Sequence, residues 1–303
     1  ISICVVFAVF FNYSTYGFAK NFEENLKNVK AEINRNNIKE AIKILGNIKI
    51  ENENQQEKID LLFGDIYLKI NKPQKAIEFY EKAFMTSSNK IESLSELGLS
   101  EANLIQGNLS KAIEHAERSL ALNADSIKSK IVLAIATTRN GEKDKALQML
   151  EALYQGYQNN SEVNLAIAGY HSSFDNHKEA IKILKKYLKS FPTTISVMDD
   201  LADLYWIDGN KDQALNLKYK VYKYHEFNRN KVKLKEIKEW ILSIDPNYFE
   251  KEKPKPIAKK KKKKYQEEEV EKYNERKKEI EYEKFDFAGS INYTGTGFVV
   301  GKG

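Results

Sequence analysis

The chain has 303 residues, of which 42% are hydrophobic and 30% charged, and its formal net charge is +6. These values are typical of a globular protein with a hydrophobic core and one or two domains. Residues 251–284 carry 14 Lys/Arg against 9 Asp/Glu, which is most of the positive excess, so the composition argues against a protein that binds nucleic acid over its whole surface. The single cysteine, Cys4, excludes an intramolecular disulfide and a cysteine metal site.

The first nineteen residues have the pattern of an export signal. The apolar run ISICVVFAVFF is followed by a short polar stretch that places Gly17 and Ala19 before Lys20. Such a run with small residues after it is typical of a secretory signal peptide. A membrane-spanning helix would need ~20 apolar residues. We predict a signal peptide over residues 1–19, clipped at its N-terminus, and a bacterial protein exported to the periplasm or outside the cell. The alternatives are an uncleaved anchor and a buried N-terminal element.

A repeat organises residues 22–225. A small residue opens the second helix of each predicted helix pair, and it recurs at steps of 35, 36, 34, 34 and 34 residues. Turn-forming residues such as Asn36, Gly107 and Gly209 separate the two helices of a pair. One pair cannot bury its apolar face alone, so we predict that six pairs stack into one continuous core. The recurring residues are Ala41, Ala76, Ala112, Ala146, Ala180 and Ala214.

The second copy of the repeat shows which family it resembles. The segment LLFGDIYLKINKPQKAIEFYEKAF places glycine, alanine and tyrosine at fixed positions, and residues 22–225 resemble the tetratricopeptide repeat (TPR), a 34-residue helix–turn–helix unit. The first copy departs from the family pattern at Val29 and Glu32. The resemblance implies an all-α solenoid that binds peptides or segments of partner proteins on a concave surface lined by the first helix of each repeat. The matching residues of the second copy are Gly64, Tyr67, Ala76, Tyr80 and Ala83.

A further helix is predicted after the sixth repeat. The segment from Asn228 to Asp245 is amphipathic, and Pro246 ends it. We predict that it caps the solenoid and closes a domain over residues 20–245. Its residues predicted to face the last repeat are Val232, Ile237, Trp240, Ile241 and Ile244.

Candidate partner-binding residues are the outward positions of the first helices. Charge signs alternate among them, so a continuous basic track for nucleic acid is not predicted. The repeated Lys and Asn with which the family binds a C-terminal carboxylate are not found either. Trp206, beside Asp203, is the strongest candidate anchor. The predicted positions are Lys58, Asp65, Lys69, Glu92, Ser95, Asn103, Lys128, Arg139, Glu162, Ser172, Asp199, Asp203 and Trp206.

Catalytic and metal-binding motifs are not found in this part of the sequence. The four histidines lie in separate contexts, and neither a P-loop nor a G-x-S-x-G motif occurs. We therefore predict no catalytic, cofactor or metal site, and we read the histidines as surface or packing residues.

The C-terminal part has a different composition. Residues 246–286 are predicted to form a charged linker, whose six lysines Lys259–Lys264 give weak contact with an anionic membrane surface as an alternative. Residues 287–303 are glycine-rich and β-branched, and Gly295 to Val300 resemble the first strand of trypsin-like serine peptidases of the HtrA type. We predict that a β domain starts there and continues beyond Gly303. The alternative to a binding scaffold is therefore the targeting or regulatory region of a serine endopeptidase.

Overall fold

A computed structural model describes residues 21–83 and 89–251, and every regular element in these two ranges is helical. Helix α1 covers residues 21–34. The helices after it are α2 (Ile38–Gly46), α3 (Glu53–Lys69), α4 (Pro73–Lys82), α5 (Asn89–Gln106), α6 (Leu109–Leu122), α7 (Ile127–Arg139), α8 (Lys143–Gly156), α9 (Ser161–Ser173), α10 (His177–Ser190), α11 (Ile195–Ile207), α12 (Lys211–Phe227), α13 (Lys231–Ile244) and α14 (Tyr248–Lys251). From α1 to α12 they form six pairs, and we call the odd-numbered member of each pair the first helix and the even-numbered member the second helix.

The turn inside each pair contains one residue with a positive φ angle, between 56° and 91°. These residues follow one another at the same steps as the recurring alanines. Glycine, asparagine and aspartate tolerate this left-handed conformation best, so the local sequence determines where each pair turns. The six residues are Asn36, Asn71, Gly107, Gly141, Asp175 and Gly209.

The recurring alanines lie at the helix crossings, and all six have 0% relative exposure. Because an alanine side chain is a single methyl group, two helix axes can approach closely at that position. The predicted crossing points are confirmed, and with them the all-α solenoid of six helix pairs.

Successive first helices contact each other directly, from α3–α5 and α5–α7 to α7–α9 and α9–α11. The second helices of successive pairs make no comparable contact in the described part of the chain. A stack of pairs that is packed more closely on one side curves towards that side. The first helices α3, α5, α7, α9 and α11 therefore line a concave surface, which we call the groove.

Helix α13 covers the apolar end of the last pair, as predicted. Ile237 and Ile241 are 3% and 0% exposed and pack against Leu215 and Val221 of α12. The prediction that Val232 also faces the last pair is wrong, because Val232 is 59% exposed. It lies in the first turn of α13, where the chain has only just left α12.

Helix α14 extends the packed region beyond residue 245. The ring of Tyr248 lies 5.5 Å from that of Tyr219, and the ring of Phe249 lies 5.1 Å from that of Tyr222. The aromatic side chains of this short helix thus continue the core that α12 and α13 build.

Several sequence predictions lie outside the described residues. They are the signal peptide over 1–19, the lysines Lys259–Lys264, the greater part of the linker over 246–286, and the β segment over 287–303. Within residues 21–83 and 89–251, none of the helices combines the length and hydrophobicity that a transmembrane span needs.

Candidate functional site

Most of the residues predicted to face outward do reach the groove surface. Lys58 keeps part of its side chain accessible while its ammonium lies 2.7 Å from the Glu23 carboxylate. Asp65 is exposed and Lys69 is half-buried. A binding role for any of these residues stays a prediction. The others that keep at least part of their surface accessible are Glu92, Lys128, Arg139, Glu162, Ser172, Asp199, Asp203 and Trp206.

Two of the predicted positions are wrong. Ser95 is 0% exposed and Asn103 is 4% exposed, and the Asn103 amide donates a hydrogen bond to the Leu99 carbonyl of its own helix. The second and third repeats are separated by 36 residues, not 34. A step of 34 residues from Lys69 leads to Asn103, on the side of α5 that faces the core.

The step of 36 residues identifies the groove residues of α5 that sequence reasoning missed. It relates Lys58 to Leu94, Asp65 to Glu101 and Lys69 to Ile105. Leu94 and Ile105 are 38% and 48% exposed, as groove positions should be. Glu101 is only 8% exposed, because it lies among charged side chains from neighbouring first helices.

We call this group of side chains the central cluster: Asp65 on α3, Glu101 on α5, Lys128 on α7 and Glu162 on α9. The Lys128 ammonium lies 3.4 Å from Glu101 Oε1, but that oxygen receives no hydrogen bond from the described residues. Burial raises the pKa of Glu101 to about 7, Lys128 opposes the shift, and Asp65 and Glu162 add to it. Three carboxyl groups thus share one nearby ammonium.

The other two carboxyl groups of the central cluster also have raised pKa values. Burial is the main cause for Asp65 and for Glu162, and the Lys128 charge opposes it in both. Asp65 combines an exposed side chain with a pKa raised by the surrounding protein. A carboxylate on a concave surface has both properties, because water reaches it from one direction only.

Tyr80 orients Asp65 from below. Its hydroxyl donates a hydrogen bond of 2.8 Å to Asp65 Oδ1, and the residue is 1% exposed. The tyrosine comes from the second helix α4, and its ring lies between Gly64 of α3 and Gly98 of α5. A methyl group added at either glycine would lie 2.4 Å from the ring. Two glycines therefore open a slot that only a flat side chain can fill.

We call a second group the C-terminal cluster: Asp199, Asp200 and Asp203 on α11, and Lys218 on α12. The Lys218 side chain is 6% exposed and pairs with both Asp199 Oδ1 and Asp203 Oδ1, the latter at 2.8 Å. Its ammonium also lies 5.0 Å from the centre of the Trp240 ring. Burial alone would lower the pKa of Lys218, but the two carboxylates reverse this and raise it.

One ammonium does not fully compensate three carboxyl groups. Burial raises the pKa of Asp203, and Lys218 opposes that shift. The pKa of Asp200 is raised to about 7, mainly by burial and also by the charges of Asp199 and Asp203. The same lysine is therefore held firmly charged while the carboxyl groups compete for it.

Trp206 stands next to this cluster at the groove surface. It is 45% exposed, and its ring lies 6.2 Å from that of Trp240 in an edge-to-face arrangement. Ile207, the following residue, is 57% exposed. The end of α11 thus presents a large apolar surface beside carboxylates.

The two ends of the groove approach each other. Burial lowers the pKa of Lys69 in α3, and the Lys233 ammonium of α13 adds to this effect. The capping helix is therefore close enough to the second repeat for their charges to interact.

Metal and catalytic chemistry find no support in the described residues. No group of three or more His, Cys, Asp or Glu side chains in these ranges is placed to hold a metal ion. His115 contacts Glu96 at 2.6 Å, and His177 lies 3.3 Å from the Ser172 hydroxyl. Both histidines make local contacts within their own helix pairs, in line with the packing role that we predicted.

Comparison with known proteins supports the repeat. A family model of the tetratricopeptide repeat matches residues 61–89, which is the second helix pair and the start of the third. No curated protein matches the sequence.

Solved structures show the same fold. A thermophilic TPR protein from Thermus thermophilus is 19% identical and aligns over 60% of this chain and 98% of its own, with a TM-score of 0.50. MamA is 20% identical over 55% of this chain and 96% of its own, with a TM-score of 0.38. YrrB, described as a TPR protein with an unusual peptide-binding site, is 15% identical over 59% of this chain and 91% of its own, with a TM-score of 0.35. The helix pairs, their spacing and the first of these similarities define the fold as a TPR solenoid.

Proposed function

We propose that the chain is a protein-interaction scaffold that binds an extended or helical segment of a partner protein in the groove. The observation that carries the proposal is the set of large apolar side chains that the first helices expose beside the two charged clusters. Leu94 and Ile105 lie on α5, and Trp206 and Ile207 lie at the end of α11; all four are between 38% and 57% exposed.

Such side chains have a physical reason to be covered. Burying apolar surface contributes about 25 cal/mol per Å². Tryptophan beside charged groups is the residue type that most often dominates the free energy of binding at protein interfaces. A partner segment that covers Trp206 and reaches Ile105 would use the apolar surface of α11 and α5 together, and the clusters between them would select its polar side chains.

The charge distribution favours a protein segment over nucleic acid. Both clusters contain more carboxyl groups than ammonium groups, whereas a nucleic acid backbone would require the opposite. The absence of a continuous basic track along the described first helices agrees with this.

The proposal can be tested with peptides selected on the complete chain from a random display library. The affinity of the selected peptides is then measured for the wild type, for Trp206→Ala combined with Ile105→Ser, and for Ile42→Ser. Ile42 is a matched control, because it is 42% exposed but lies on the second helix α2. We expect the groove variant to lose about tenfold or more in affinity, equivalent to about 1.4 kcal/mol, and the control to change little. Equal affinity for all three proteins would contradict binding in the groove.

A second candidate function rests on residues 295–300 alone. If the resemblance to a trypsin-like first strand is meaningful, the solenoid is the targeting or regulatory region of a serine endopeptidase. The coding sequence beyond Gly303 should then contain a histidine, an aspartate and a Gly-x-Ser-Gly-Gly-like loop in that order. A stop codon, or a continuation without that histidine, would remove this candidate.

A further inference from the structure

We propose that the central cluster is a subsite for one cationic side chain, a lysine or an arginine, of the partner segment bound in the groove. The inference rests on the proposed function and adds the chemistry of the ligand to it. The three carboxyl groups of the cluster come from three different first helices, Asp65 on α3, Glu101 on α5 and Glu162 on α9. The ammonium of Lys128, on α7, lies among them.

Glu101 gives the independent observation that a ligand is missing. Its residue is 8% exposed, and Oε1 receives no hydrogen bond from the described part of the chain. A buried carboxylate oxygen without a donor is costly, by about 1–3 kcal/mol or more for a charged group. Lys128 lies 3.4 Å away and supplies charge, but not a hydrogen bond. A donor that enters from the groove would supply it.

The charge of the cluster selects a cation. With Asp65, Glu101 and Glu162 ionised, the four groups together carry more negative than positive charge, and the raised pKa values of the three carboxyl groups show that each lacks compensating charge. A metal ion is not indicated, since no group of carboxyl side chains in the described residues is placed to hold one.

The surroundings fit a long side chain with a charged end. Ile105 lies one turn of α5 after Glu101 and is 48% exposed, so its surface can receive the methylene groups of a lysine or arginine. Asp65 is fixed in place by the Tyr80 hydroxyl and remains open to solvent. The site is therefore preorganised, which reduces the entropy lost on binding.

The proposal predicts a link between binding and protons. Asp65 from α3, Tyr80 from α4, Lys128 from α7 and Glu162 from α9 surround Glu101, whose pKa is about 7. A cation favours the ionised carboxylate, so Glu101 loses its proton when the segment binds. Affinity should consequently fall when the pH is lowered from about 8 to about 6.

The experiment compares two short peptide libraries that differ only at the central position, which is lysine in one and its neutral isostere norleucine in the other. Both are bound to the complete chain as wild type, as Glu101→Gln, and as Glu117→Gln. Glu117 is a matched control, since it is exposed and lies on the second helix α6. We expect the lysine peptides to bind the wild type and the control about tenfold more tightly than the norleucine peptides. We expect Glu101→Gln to remove both this preference and the pH dependence.

The remaining outcomes separate the inference from the proposed function. If both libraries bind equally well and the combined Trp206→Ala and Ile105→Ser variant abolishes their binding, the groove binds peptides and the cation subsite is wrong. If no peptide binds any of the proteins, the proposed function fails as well. If lysine peptides bind only after Lys259–Lys264 have been replaced by glutamine, the chain's own lysines occupy the site, and the assignment to a partner is overturned.

Discussion

The central cluster and the C-terminal cluster use the same ingredients in different ways. Each contains one lysine and three carboxyl groups at the groove. In the C-terminal cluster the Lys218 side chain is 6% exposed and contacts Asp199 and Asp203 directly. In the central cluster Lys128 is 23% exposed, its nearest carboxylate oxygen is 3.4 Å away, and Glu101 receives no hydrogen bond at that oxygen from the described residues. The first arrangement is complete within the fold, and the second is not.

The difference follows from the helices that supply the lysines. Lys218 belongs to a second helix, so it approaches α11 from below, where the neighbouring helix and Trp240 exclude water. Lys128 belongs to a first helix and lies beside the carboxylates on the same concave surface. A lysine from below stabilises the solenoid, whereas one at the surface leaves carboxylates available to a ligand.

Replacing the two lysines would break this comparison most directly. Lys218→Met should reduce the free energy of unfolding by about 3 kcal/mol, the lower end for a broken buried ion pair, because Asp199 and Asp203 keep some access to water. Lys128→Met should cost less than about 1 kcal/mol, since Glu101 can take up a proton and a partly exposed pair contributes little. Chemical denaturation at neutral pH measures both values. Equal losses would show that the clusters do not differ as described.

The slot for Tyr80 sharpens the account of the central cluster. Gly98→Ala should destabilise the protein by about 2 kcal/mol, because the added methyl group meets a ring that Gly64 blocks on its other side. Gly156→Ala is the control, since nothing lies within 4 Å of the methyl group that it adds. Thermal melts of both variants check this. If Gly98→Ala melts at the wild-type temperature, Tyr80 is not confined between the two helices.

A smaller effect is expected from pH. Asp200 and Glu101 both have folded-state pKa values of about 7, above their ordinary values of 3.8 and 4.5. The folded protein therefore keeps protons that the unfolded chain releases, so stability should fall as the pH rises from about 4 to about 7 and then level off. In mildly alkaline solution, Asp200→Asn should raise the melting temperature by about 2–4 °C, equivalent to about 1 kcal/mol. The exposed Asp125→Asn serves as the control, and a stability that rises over this pH window would contradict the assignment.

Much of the fold could be predicted from the sequence because its signals are local and periodic. The alanine at each crossing and the turn residue that precedes it follow the same steps along the chain, and both depend only on side-chain size and backbone freedom. The position of Val232 could not be predicted in the same way, because a periodic pattern does not show where the neighbouring helix ends.

The site was less predictable, because it depends on contacts between repeats. A constant step of 34 residues places Asn103 and Ser95 in the groove, although the two residues inserted before α5 change the register there. The same insertion hides Glu101. Lys218 could not be recognised, since a lysine on a second helix resembles a solvated one until the fold places two aspartates beside it.

The central claim is that Glu101 is left open for a ligand while Lys218 is closed within the fold. Nuclear magnetic resonance can follow both groups in one sample, through the carboxyl carbon of Glu101 and the ammonium protons of Lys218. We predict that Glu101 titrates with a pKa of about 7, that its signal moves when a lysine-bearing groove peptide is added, and that the Lys218 ammonium exchanges slowly with water and does not respond. A Glu101 that titrates at its ordinary pKa and ignores the peptide, with changes confined to Lys218, would contradict the account.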